Sequence, residues 1–390
     1  MLKIVIDATP ILSKPSGVGI SIFNLINSLH QLQQQNHSFE MGIAYQPSFK
    51  KWIFRNLSPP ENISAYANLH ILPIPVRISS LLSLFPGLPL FNFKEKLGMP
   101  DIIHGTNYSV FPCKDTLNLM TIYDLSFIKY PEYINSAVQQ YTKRVKQSLQ
   151  WTDAILTISE SSKRDIVEYL HISPDRVFVT PLASRYHLNY LTDVISKIDT
   201  TIIDYDFSQP YLLFVSTIEP RKNISAIISA FNLLKSDRKI PHHLILIGQK
   251  GWKYEPIFQE IERSPWKENI HHLDYLSDEL VALFYARADV FLYPSHYEGF
   301  GLPVLEAMTL GTPVVTSNTS SLPEVAGDAA LSIDPSDVEA QADAILKIIS
   351  DSHFRDELIK KGKARAALFS WERTARETLQ VYKSIQELKG

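Results

Sequence analysis

Short apolar segments with the length of β-strands alternate along this chain with longer segments of helical period, and this alternation restricts the fold more than any other feature. Strands separated by helices pair in parallel, because each connection returns the chain to the same end of the sheet. Helices then cover both faces of that sheet. The pattern lapses once and starts again, so the sequence predicts an α/β fold with two Rossmann-like, doubly wound domains.

The alternation predicts one set of strands in each half of the chain. Candidate helices lie between them, such as residues 136–151, where Val138, Tyr141, Val145 and Leu149 share one face. The first set of strands is expected at residues 4–7, 41–45, 69–74, 101–104, 119–123, 154–158 and 177–180. The second set is expected at residues 211–216, 243–247, 270–273, 290–293, 314–317 and 330–333.

A polar stretch from about residue 186 to Pro210 separates the two sets of strands and is interpreted as a linker. Because a chain of 390 residues exceeds the size of one typical core, the expected domains are residues 1–205 and 206–370. Near the end of the chain, Ser336 and Glu339 have the spacing of a capping box that begins a helix. Further helices are expected near residues 354–368 and 371–388.

Composition removes several classes of protein from consideration. The formal net charge of -3 gives no electrostatic drive towards nucleic acid. The single cysteine, Cys113, cannot build a disulfide or a cysteine-based zinc site within one chain. The chain opens with a short strand rather than a signal peptide, and no stretch reaches the roughly 18 apolar residues of a membrane span. A cytoplasmic protein is expected.

The most informative segment runs from residue 294 to residue 306, between a predicted strand and a predicted helix. Its Gly299 and Gly301 allow backbone conformations and close ligand approach that a side chain would block. Pro303 suits the first turn of a helix, where a missing N–H costs nothing. Glu298 and Glu306 lie on either side of this turn. The arrangement predicts an anion site at a helix N-terminus, with carboxylates that accept hydrogen bonds from sugar or ribose hydroxyls.

Each glutamate also has a simpler interpretation. Glu298 would be solvated on the turn, and Glu306 would complement the dipole of its helix. For either residue alone that interpretation is preferred. The combination with two glycines and a proline favours a functional site.

Arg221 and Lys222 follow the strand at 211–216 and precede a predicted helix at 224–234. Two cations at a helix N-terminus oppose the helix dipole, at a cost of about 0.3–1 kcal/mol each. A bound diphosphate would reverse the sign of that effect. The alternative is an exposed basic pair that is offset by Glu219.

Gly17 and Gly19 open the first predicted helix in a pattern that is similar to a dinucleotide fingerprint. The third glycine is missing, since Ile22 stands there, and the distance from the preceding strand is too long for that motif. The two glycines are therefore interpreted as a second glycine loop, which would face the phosphates from the first domain.

Glu298 and Glu306, with seven residues between them, resemble the E-x7-E motif of glycosyltransferase family 4. Members of this family are retaining enzymes with the GT-B fold, in which two Rossmann-like domains face each other across a cleft. The resemblance covers nearly the whole chain and is closest to bacterial members that add mannose or related sugars to surface polysaccharides. The other segments that fit are Asp7-Ala8-Thr9-Pro10 with Gly17-Val18-Gly19, residues 121–127, Arg221-Lys222, and the segment from residues 311–315 through residues 322–327.

The resemblance implies that the terminal helix, 371–390, packs back on the first domain. It also implies roles for the donor-binding residues. It also implies a metal-independent reaction without a cofactor, from a nucleotide-diphosphate sugar (a GDP-sugar first, a UDP-sugar second) to a glycan or lipid-linked acceptor. The implied contacts are Glu298 with the hexose, the amides of Phe300, Gly301 and Leu302 with sugar and phosphate, Glu306 with the ribose, Arg221 and Lys222 with the diphosphate, and Gly17 and Gly19 with the donor on closure.

Tyr123-Asp124 stands where many relatives carry His-Asp. The role of that histidine, contact with the donor sugar, is therefore not transferred. Asp124 remains the best polar candidate for catalysis on the first domain, and its alternative interpretation is a turn or helix cap. His104 is interpreted as a structural histidine.

Glycosyl transfer passes through an oxocarbenium-like state while a diphosphate departs, so the protein must stabilise the leaving charge. The resemblance implies retention by attack on the same face, without a covalent enzyme intermediate. Asp204-Tyr205-Asp206 matches a short metal-binding motif of a different transferase fold, but it falls in the predicted linker and is discounted. No metal is expected.

Three other functions remain open. A sugar-nucleotide epimerase or hydrolase of similar architecture would consume the donor without an acceptor. A nicotinamide-dependent oxidoreductase is disfavoured by the incomplete glycine pattern at Gly17 and Gly19. A non-catalytic subunit is disfavoured because Arg221, Lys222, Glu298 and Glu306 are all present.

A peripheral membrane contact is the last expectation. The apolar stretch at residues 81–91 is interrupted by Pro86, Gly87 and Pro89, so it is too broken for a membrane span. It is interpreted as a segment that dips into a membrane interface near a lipid-linked acceptor, or as a buried loop.

Overall fold

The structure is a computed structural model, and it describes residues 1–12, 17–75, 78, 93–113, 115–133, 136–194, 198 and 205–387. The chain divides into two compact units. Unit 1 contains Met1–Pro131, Ser136–Leu182 and Ser370–Gly390, and unit 2 contains Glu132–Asn135 and Ala183–Phe369. The apolar stretch at 81–91 and Asp204 lie outside the described residues.

Unit 1 is built on a parallel sheet of seven strands in the order β3-β2-β1-β4-β5-β6-β7. Strand β1 is third in this order, and its Ile4 pairs with Met41 on one side and with Ile102 on the other. The strand order therefore reverses between β1 and β4. The strands are β1 Leu2–Asp7, β2 Phe39–Tyr45, β3 Leu69–Ile71, β4 Ile102–Gly105, β5 Leu117–Thr121, β6 Ala154–Thr157 and β7 Val177–Val179.

The helices of unit 1 lie between these strands, apart from one helix at the end of the chain. That last helix packs against the first one and contributes Leu379 and Tyr382 to the apolar core beneath β1 and β2. The helices are α1 Gly17–Asn36, α2 Phe49–Ile53, α3 Glu61–Ser64, α4 Phe93–Lys96, α5 Ser126–Lys129, α6 Ser136–Ser148, α7 Glu160–Leu170 and α16 Trp371–Glu387.

Unit 2 has a parallel sheet of six strands in the order β10-β9-β8-β11-β12-β13. The order reverses between β8 and β11, whose Leu212 and Val290 are paired. Strand β8 lies between β9 and β11 and is buried at every residue. The strands are β8 Tyr211–Val215, β9 His243–Ile247, β10 Ile270–Leu273, β11 Val290–Tyr293, β12 Val314–Ser317 and β13 Leu331–Ile333.

Some helices of unit 2 begin at a side-chain cap, which is supplied by Ser277, Asp337 or Asp351. The expected capping box at Ser336 is wrong in detail, because Asp337 is the cap and its side chain accepts a hydrogen bond from the Ala340 amide at 2.8 Å. The helices are α8 Tyr190–Val194, α9 Ile224–Asp237, α10 Glu255–Arg263, α11 Asp278–Arg287, α12 Leu302–Leu310, α13 Leu322–Ala326, α14 Val338–Ser350 and α15 Ser352–Ala366.

All the expected strands are present, and four of them (β9 to β12) have the expected bounds, while the others differ by one to three residues. The two compact units change over between Leu182 and Ala183, whereas the sequence placed the domain boundary at 205. The reason is a pair of contacts that hold the following segment on unit 2. Arg185 bonds Glu306, and Tyr186 donates to the carbonyl of Asp278 at 3.0 Å.

No helix among the described residues combines the length and the apolar character that crossing a membrane requires.

His104 is confirmed as a structural histidine of unit 1. It lies fully buried on β4, with Nδ1 2.7 Å from the Tyr382 hydroxyl and Nε2 2.7 Å from the Thr121 hydroxyl. Burial lowers its pKa to about 3, because a charged imidazole would be desolvated there. The side chain thus ties the terminal helix α16 to the sheet of unit 1.

His104 makes a pH-dependent contribution to stability. The histidine of the unfolded chain gains a proton below about pH 6.5, whereas folded His104 stays neutral to about pH 3. Its contribution is complete above pH 6.5 and is lost as pH falls, at up to about 1.4 kcal/mol per pH unit. We expect the free energy of unfolding of His104→Gln, measured in urea between pH 7 and pH 4, to fall less steeply than that of the wild type. Equal slopes would contradict the assignment.

Candidate functional site

The candidate site lies at the point where the strand order of unit 2 reverses. Ligands of doubly wound sheets bind at the carboxyl ends of the strands at such a point. The loop after β8 carries Arg221 and Lys222, and the loop after β11 carries Glu298. The fold therefore brings together two motifs that are separated by about 76 positions in sequence.

The loop after β8 holds its cations in a fixed conformation. Pro220–Lys222 form one turn of 3-10 helix, and Asn223 adopts the left-handed region with φ 58° before α9 begins. The Asn223 side chain donates to the carbonyls of Pro294 (3.1 Å) and Pro335 (2.6 Å). This amide joins the loop to the end of β11, so the cations and the second loop are positioned together.

Arg221, Lys222, Glu219 and Glu298 form a compact group of four charges, which we call the charge cluster. Lys222 Nζ lies 2.6 Å from Glu298 Oε1, and Arg221 lies 3.2 Å from Glu298 Oε2. Arg221 also pairs with Glu219 at 2.7 Å. The four side chains are 14% exposed or less. Two cations and two anions cancel, so the cluster is neutral as it stands.

The pairing of the cluster sets its protonation states. Burial by itself raises the pKa of Glu298, but Lys222 and Arg221 outweigh it and lower the pKa to about 2. Burial would lower the pKa of Lys222, yet the carboxylate of Glu298 raises it above the ordinary value. Burial raises the pKa of Glu219, which Arg221 partly offsets. Lys222 and Glu298 are therefore both ionised at any neutral pH.

Lys222 has capacity for a further ligand. Its ammonium group has three donors. Two of them are directed at Glu298 and at the Tyr293 hydroxyl, which lies 2.8 Å away. Among the hydrogen bonds of the described residues, none uses the third.

Gly301 shapes the turn between Glu298 and α12. Its φ of 116° lies in a region that side chains avoid, and a Cβ there would meet Leu322 Cδ2 at 2.7 Å. Helix α12 begins at the next residue, and Pro303 occupies its first turn, as expected from the sequence. The amides in the first turn of a helix have no acceptor within the helix and attract anions.

Ser321 holds the turn between Glu298 and α12 in place through hydrogen bonds. This fully buried residue donates to the carbonyls of Glu298 at 2.8 Å and Phe300 at 2.7 Å, and Ser320 accepts from the Glu298 amide at 2.9 Å. Because both carbonyls accept hydrogen bonds from Ser321, the backbone amides that follow them at the start of α12 are held in a fixed orientation. The serines lie in a segment singled out by the family resemblance, although their role was not predicted.

Glu306 lies on α12 and is paired with Arg185, a residue that the sequence analysis missed. Arg185 donates hydrogen bonds to both carboxylate oxygens of Glu306, from Nε at 2.7 Å and from Nη2 at 3.2 Å. Its third nitrogen, Nη1, donates to the Asp278 carboxylate at 2.7 Å. The Tyr285 hydroxyl lies 3.4 Å from the same carboxylate. Arg185 stands in the stretch next to the predicted linker, where no periodicity or motif marks it.

Burial contradicts two of the simpler interpretations, the solvated Glu298 and the exposed basic pair, while the interpretation of Glu306 as a complement to its helix dipole stays open. Glu298 is 8% exposed and Glu306 is 2% exposed, so neither is solvated. Lys222 is 6% exposed, so the cations are not a surface pair. The expected contact of Arg221 with Glu219 is present, although both groups are buried in the charge cluster.

The remaining candidates belong to unit 1. The Asp124 carboxylate accepts from the Ser126 amide at 2.9 Å and from its hydroxyl at 2.7 Å, which is the arrangement of an Asx turn, while the residue at the N-cap of α5 is Leu125. The catalytic role of Asp124 stays a prediction. Tyr123 is buried, and burial raises the pKa of its hydroxyl. Gly17 and Gly19 lie in the first turn of α1, as expected, while residues 13–16 are outside the described part, and the contact of the two glycines with the donor stays a prediction.

Comparison with known proteins adds a family to this geometry. A family model described as glycosyl transferases group 1 matches residues 203–365, which include the charge cluster and Glu306. The chain is similar to the O-antigen chain mannosyltransferase B of Escherichia coli, with 38% identity over 286 residues that cover 73% of this chain and 74% of that protein.

Two solved structures share the fold. Sucrose-phosphate synthase from Thermosynechococcus elongatus has a TM-score of 0.73 at 19% identity and covers 100% of both chains. HepE from Anabaena, solved in complex with UDP and glucose, has a TM-score of 0.71 at 16% identity and covers 98% of this chain and 100% of its own. The fold in common is GT-B.

Proposed function

Since the chain belongs to the group 1 family of glycosyl transferases, we propose that it transfers a hexose from a nucleotide-diphosphate sugar to a glycan or lipid-linked saccharide. Mannose is the expected sugar, because the relative from Escherichia coli with 38% identity is a mannosyltransferase of the O-antigen. Synthesis of a cell-surface polysaccharide is the expected setting. The expected donor is a GDP-sugar, with a UDP-sugar as the second candidate because HepE was solved with UDP.

The observation that carries this proposal is the buried cation pair at the switch point of unit 2. Lys222 and Arg221 are held by Glu298 and Glu219 in a neutral cluster, so a bound diphosphate makes the cluster anionic and draws on the unused donor of Lys222. A preorganised cation in a water-poor site stabilises charge that develops on a leaving group. The diphosphate is such a leaving group.

The glycine turn supplies the second part of the donor site. We assign the amides of Phe300, Gly301 and Leu302 to the phosphate and hexose, because they open α12 and the preceding carbonyls are fixed by Ser321. We assign Glu298 to the hexose and Glu306 to the ribose hydroxyls. A carboxylate held ionised accepts two hydroxyl hydrogen bonds without a change in protonation.

The proposed chemistry is breakage of the bond between the anomeric carbon and the diphosphate. The bonding electrons leave with the diphosphate, whose charge is stabilised by hydrogen bonds from Arg221, Lys222 and the helix N-terminus. The acceptor hydroxyl attacks the same face, so the configuration is retained, and its proton passes towards the departing phosphate oxygen. No metal takes part in these steps.

A nucleotide panel tests the donor site. We expect GDP at about 100 times its dissociation constant to stabilise the protein by about 2.7 kcal/mol, with UDP and ADP giving smaller effects. For a unit of this size the melting temperature should rise by about 5–10 °C, measured by thermal shift. Arg221→Ala combined with Lys222→Ala should lose the shift. Equal shifts in that variant and the wild type would reject the proposed site.

Transfer must also be separated from hydrolysis. The donor should be consumed only when a saccharide acceptor is present, as followed by release of nucleoside diphosphate. Consumption at the same rate without acceptor would favour the hydrolase or epimerase.

A further inference from the structure

Unit 1 exposes a concentrated group of large apolar side chains at residues 49–55, in and just after helix α2. Phe49 is 43% exposed, Trp52 39%, Ile53 56% and Phe54 73%. None of the residues of α2 is buried. Single exposed apolar residues are ordinary, but a contiguous group marks an interaction surface.

The apolar side chains are held in place rather than loosely displayed. The Phe49 and Trp52 rings stack with their centroids 6.0 Å apart. The Trp52 indole donates to the Pro73 carbonyl at 2.9 Å, and Ser48 caps the helix by accepting from the Lys51 amide. A surface that is fixed in this way loses little conformational entropy when it binds.

Cations are interleaved with the apolar side chains. Lys50 and Arg55 are exposed, and Lys51 is half-buried with its ammonium on the Tyr45 hydroxyl and the Ser58 carbonyl. No acidic residue occurs between Gln46 and Pro60. The segment therefore combines a local charge of three positive groups with exposed aromatic and aliphatic surface.

We propose that residues 49–55 form a membrane-contact segment that rests on an anionic lipid surface. Phenylalanine and isoleucine side chains enter the boundary between headgroups and acyl chains, tryptophan suits that boundary, and lysine and arginine pair with lipid phosphates. The segment is too small for a stable protein interface, which takes about 20–30 residues on each side. This inference stands without the proposed donor chemistry.

The position of the segment in unit 1 indicates a function for the membrane contact. It begins four residues after Tyr45, which ends β2, and so lies at the carboxyl edge of the sheet of unit 1. That edge is where doubly wound sheets hold their ligands. A lipid surface there would bring a lipid-linked acceptor close to unit 1.

Sedimentation with lipid vesicles tests the proposal with the full-length protein. We expect binding to vesicles of 30% phosphatidylglycerol in phosphatidylcholine, weak binding to phosphatidylcholine alone, and weaker binding at higher salt. Ile53→Ser with Phe54→Ser should lower the partition coefficient by about tenfold or more. Lys50→Glu with Arg55→Glu should remove the preference for anionic vesicles.

A matched control replaces two equally exposed apolar residues elsewhere. Met99 and Leu188 are 54% and 53% exposed, so Met99→Ser with Leu188→Ser should bind vesicles as the wild type does. Equal binding of the Ile53/Phe54 variant and the wild type overturns the proposal, and so does no binding of the wild type. Self-association that the Ile53/Phe54 variant abolishes, without vesicle binding, would assign the surface to a second copy of the chain and also overturn it.

Discussion

Replacing Lys222 by methionine together with Glu298 by glutamine is expected to lower turnover by about 10²–10³-fold while the protein remains folded. The loss follows from the removal of a preorganised cation that opposes the charge of the leaving diphosphate. Removing both partners matters, because deletion of one member of a buried ion pair leaves an uncompensated charge and costs about 3–5 kcal/mol of stability. The pair of near-isosteric replacements keeps the cluster neutral, with Arg221 and Glu219 still in contact.

The measurement is turnover at saturating donor, together with the affinity for the nucleoside diphosphate by calorimetry. Lys235 provides the control, since it is another buried lysine of unit 2, and its ammonium bonds the carbonyls of Ile240 and His242. Lys235→Met should leave turnover unchanged. Turnover of the Lys222/Glu298 variant within a factor of two of the wild type would show that the cluster does not hold the leaving group.

The ionisation of the cluster adds a pH expectation to this experiment. Because the pKa of Glu298 is lowered to about 2, its carboxylate remains charged at pH 5 and above. Turnover should therefore not fall between pH 7 and pH 5 through protonation of Glu298; that is, its pH profile should have no acid limb from this residue. A limb in that range would come from another group, such as Glu219, whose pKa is raised by burial, or His296, whose pKa is lowered chiefly by burial.

The sequence predicts the sheets well because most strands are local apolar runs, and β8, β11 and β12 are buried at every residue. The strand at residues 290–293 and the turn that follows it are recognisable from Gly299, Gly301 and Pro303 alone. The required conformation is a property of these residues themselves, since only glycine tolerates the φ of Gly301. Local constraints of this kind leave a signal in a single sequence.

The partner of Glu306 leaves no such signal. Arg185 is 121 positions away in sequence, and its selection depends on how the segment after β7 folds onto α11 and α12. The same applies to Ser321, whose hydroxyl bonds carbonyls more than twenty positions away. The cap of α14 differs for a smaller reason, because Ser336 and Asp337 are both good caps and the backbone decides between neighbours.

Arg185→Ala is expected to lower the free energy of unfolding by about 3 kcal/mol, near the lower end of the range for a buried ion pair, because Arg185 is 26% exposed. The change leaves the carboxylate of Glu306, which is 3% exposed, with only the Tyr285 hydroxyl at 3.4 Å. Adding Glu306→Gln should recover part of the loss, because no buried charge then remains unpaired. Urea unfolding of the wild type, both single variants and the double variant gives the interaction energy directly.

Lys361→Ala is the matched control for stability, since it breaks an ion pair with Asp328 whose side chains are 53% and 84% exposed. Such a pair contributes about 0–1 kcal/mol. If Arg185→Ala lowers the free energy of unfolding no more than the control does, water replaces the arginine without a loss of stability. Arg185 would then have no part in positioning Glu306.

The assignment of Glu306 to the ribose has to be tested by a measurement that does not depend on the stability of the protein, and nucleotide binding provides one. In the wild type, 2′-deoxy and 3′-deoxy nucleoside diphosphates should bind at least about tenfold more weakly than the ribose forms, because a buried carboxylate is left without its hydroxyl partner. Glu306→Gln should weaken that discrimination, and Arg185→Ala should weaken it as well if the guanidinium sets the direction of the carboxylate. Full discrimination retained in Glu306→Gln would place the ribose elsewhere, whatever the two variants do to stability.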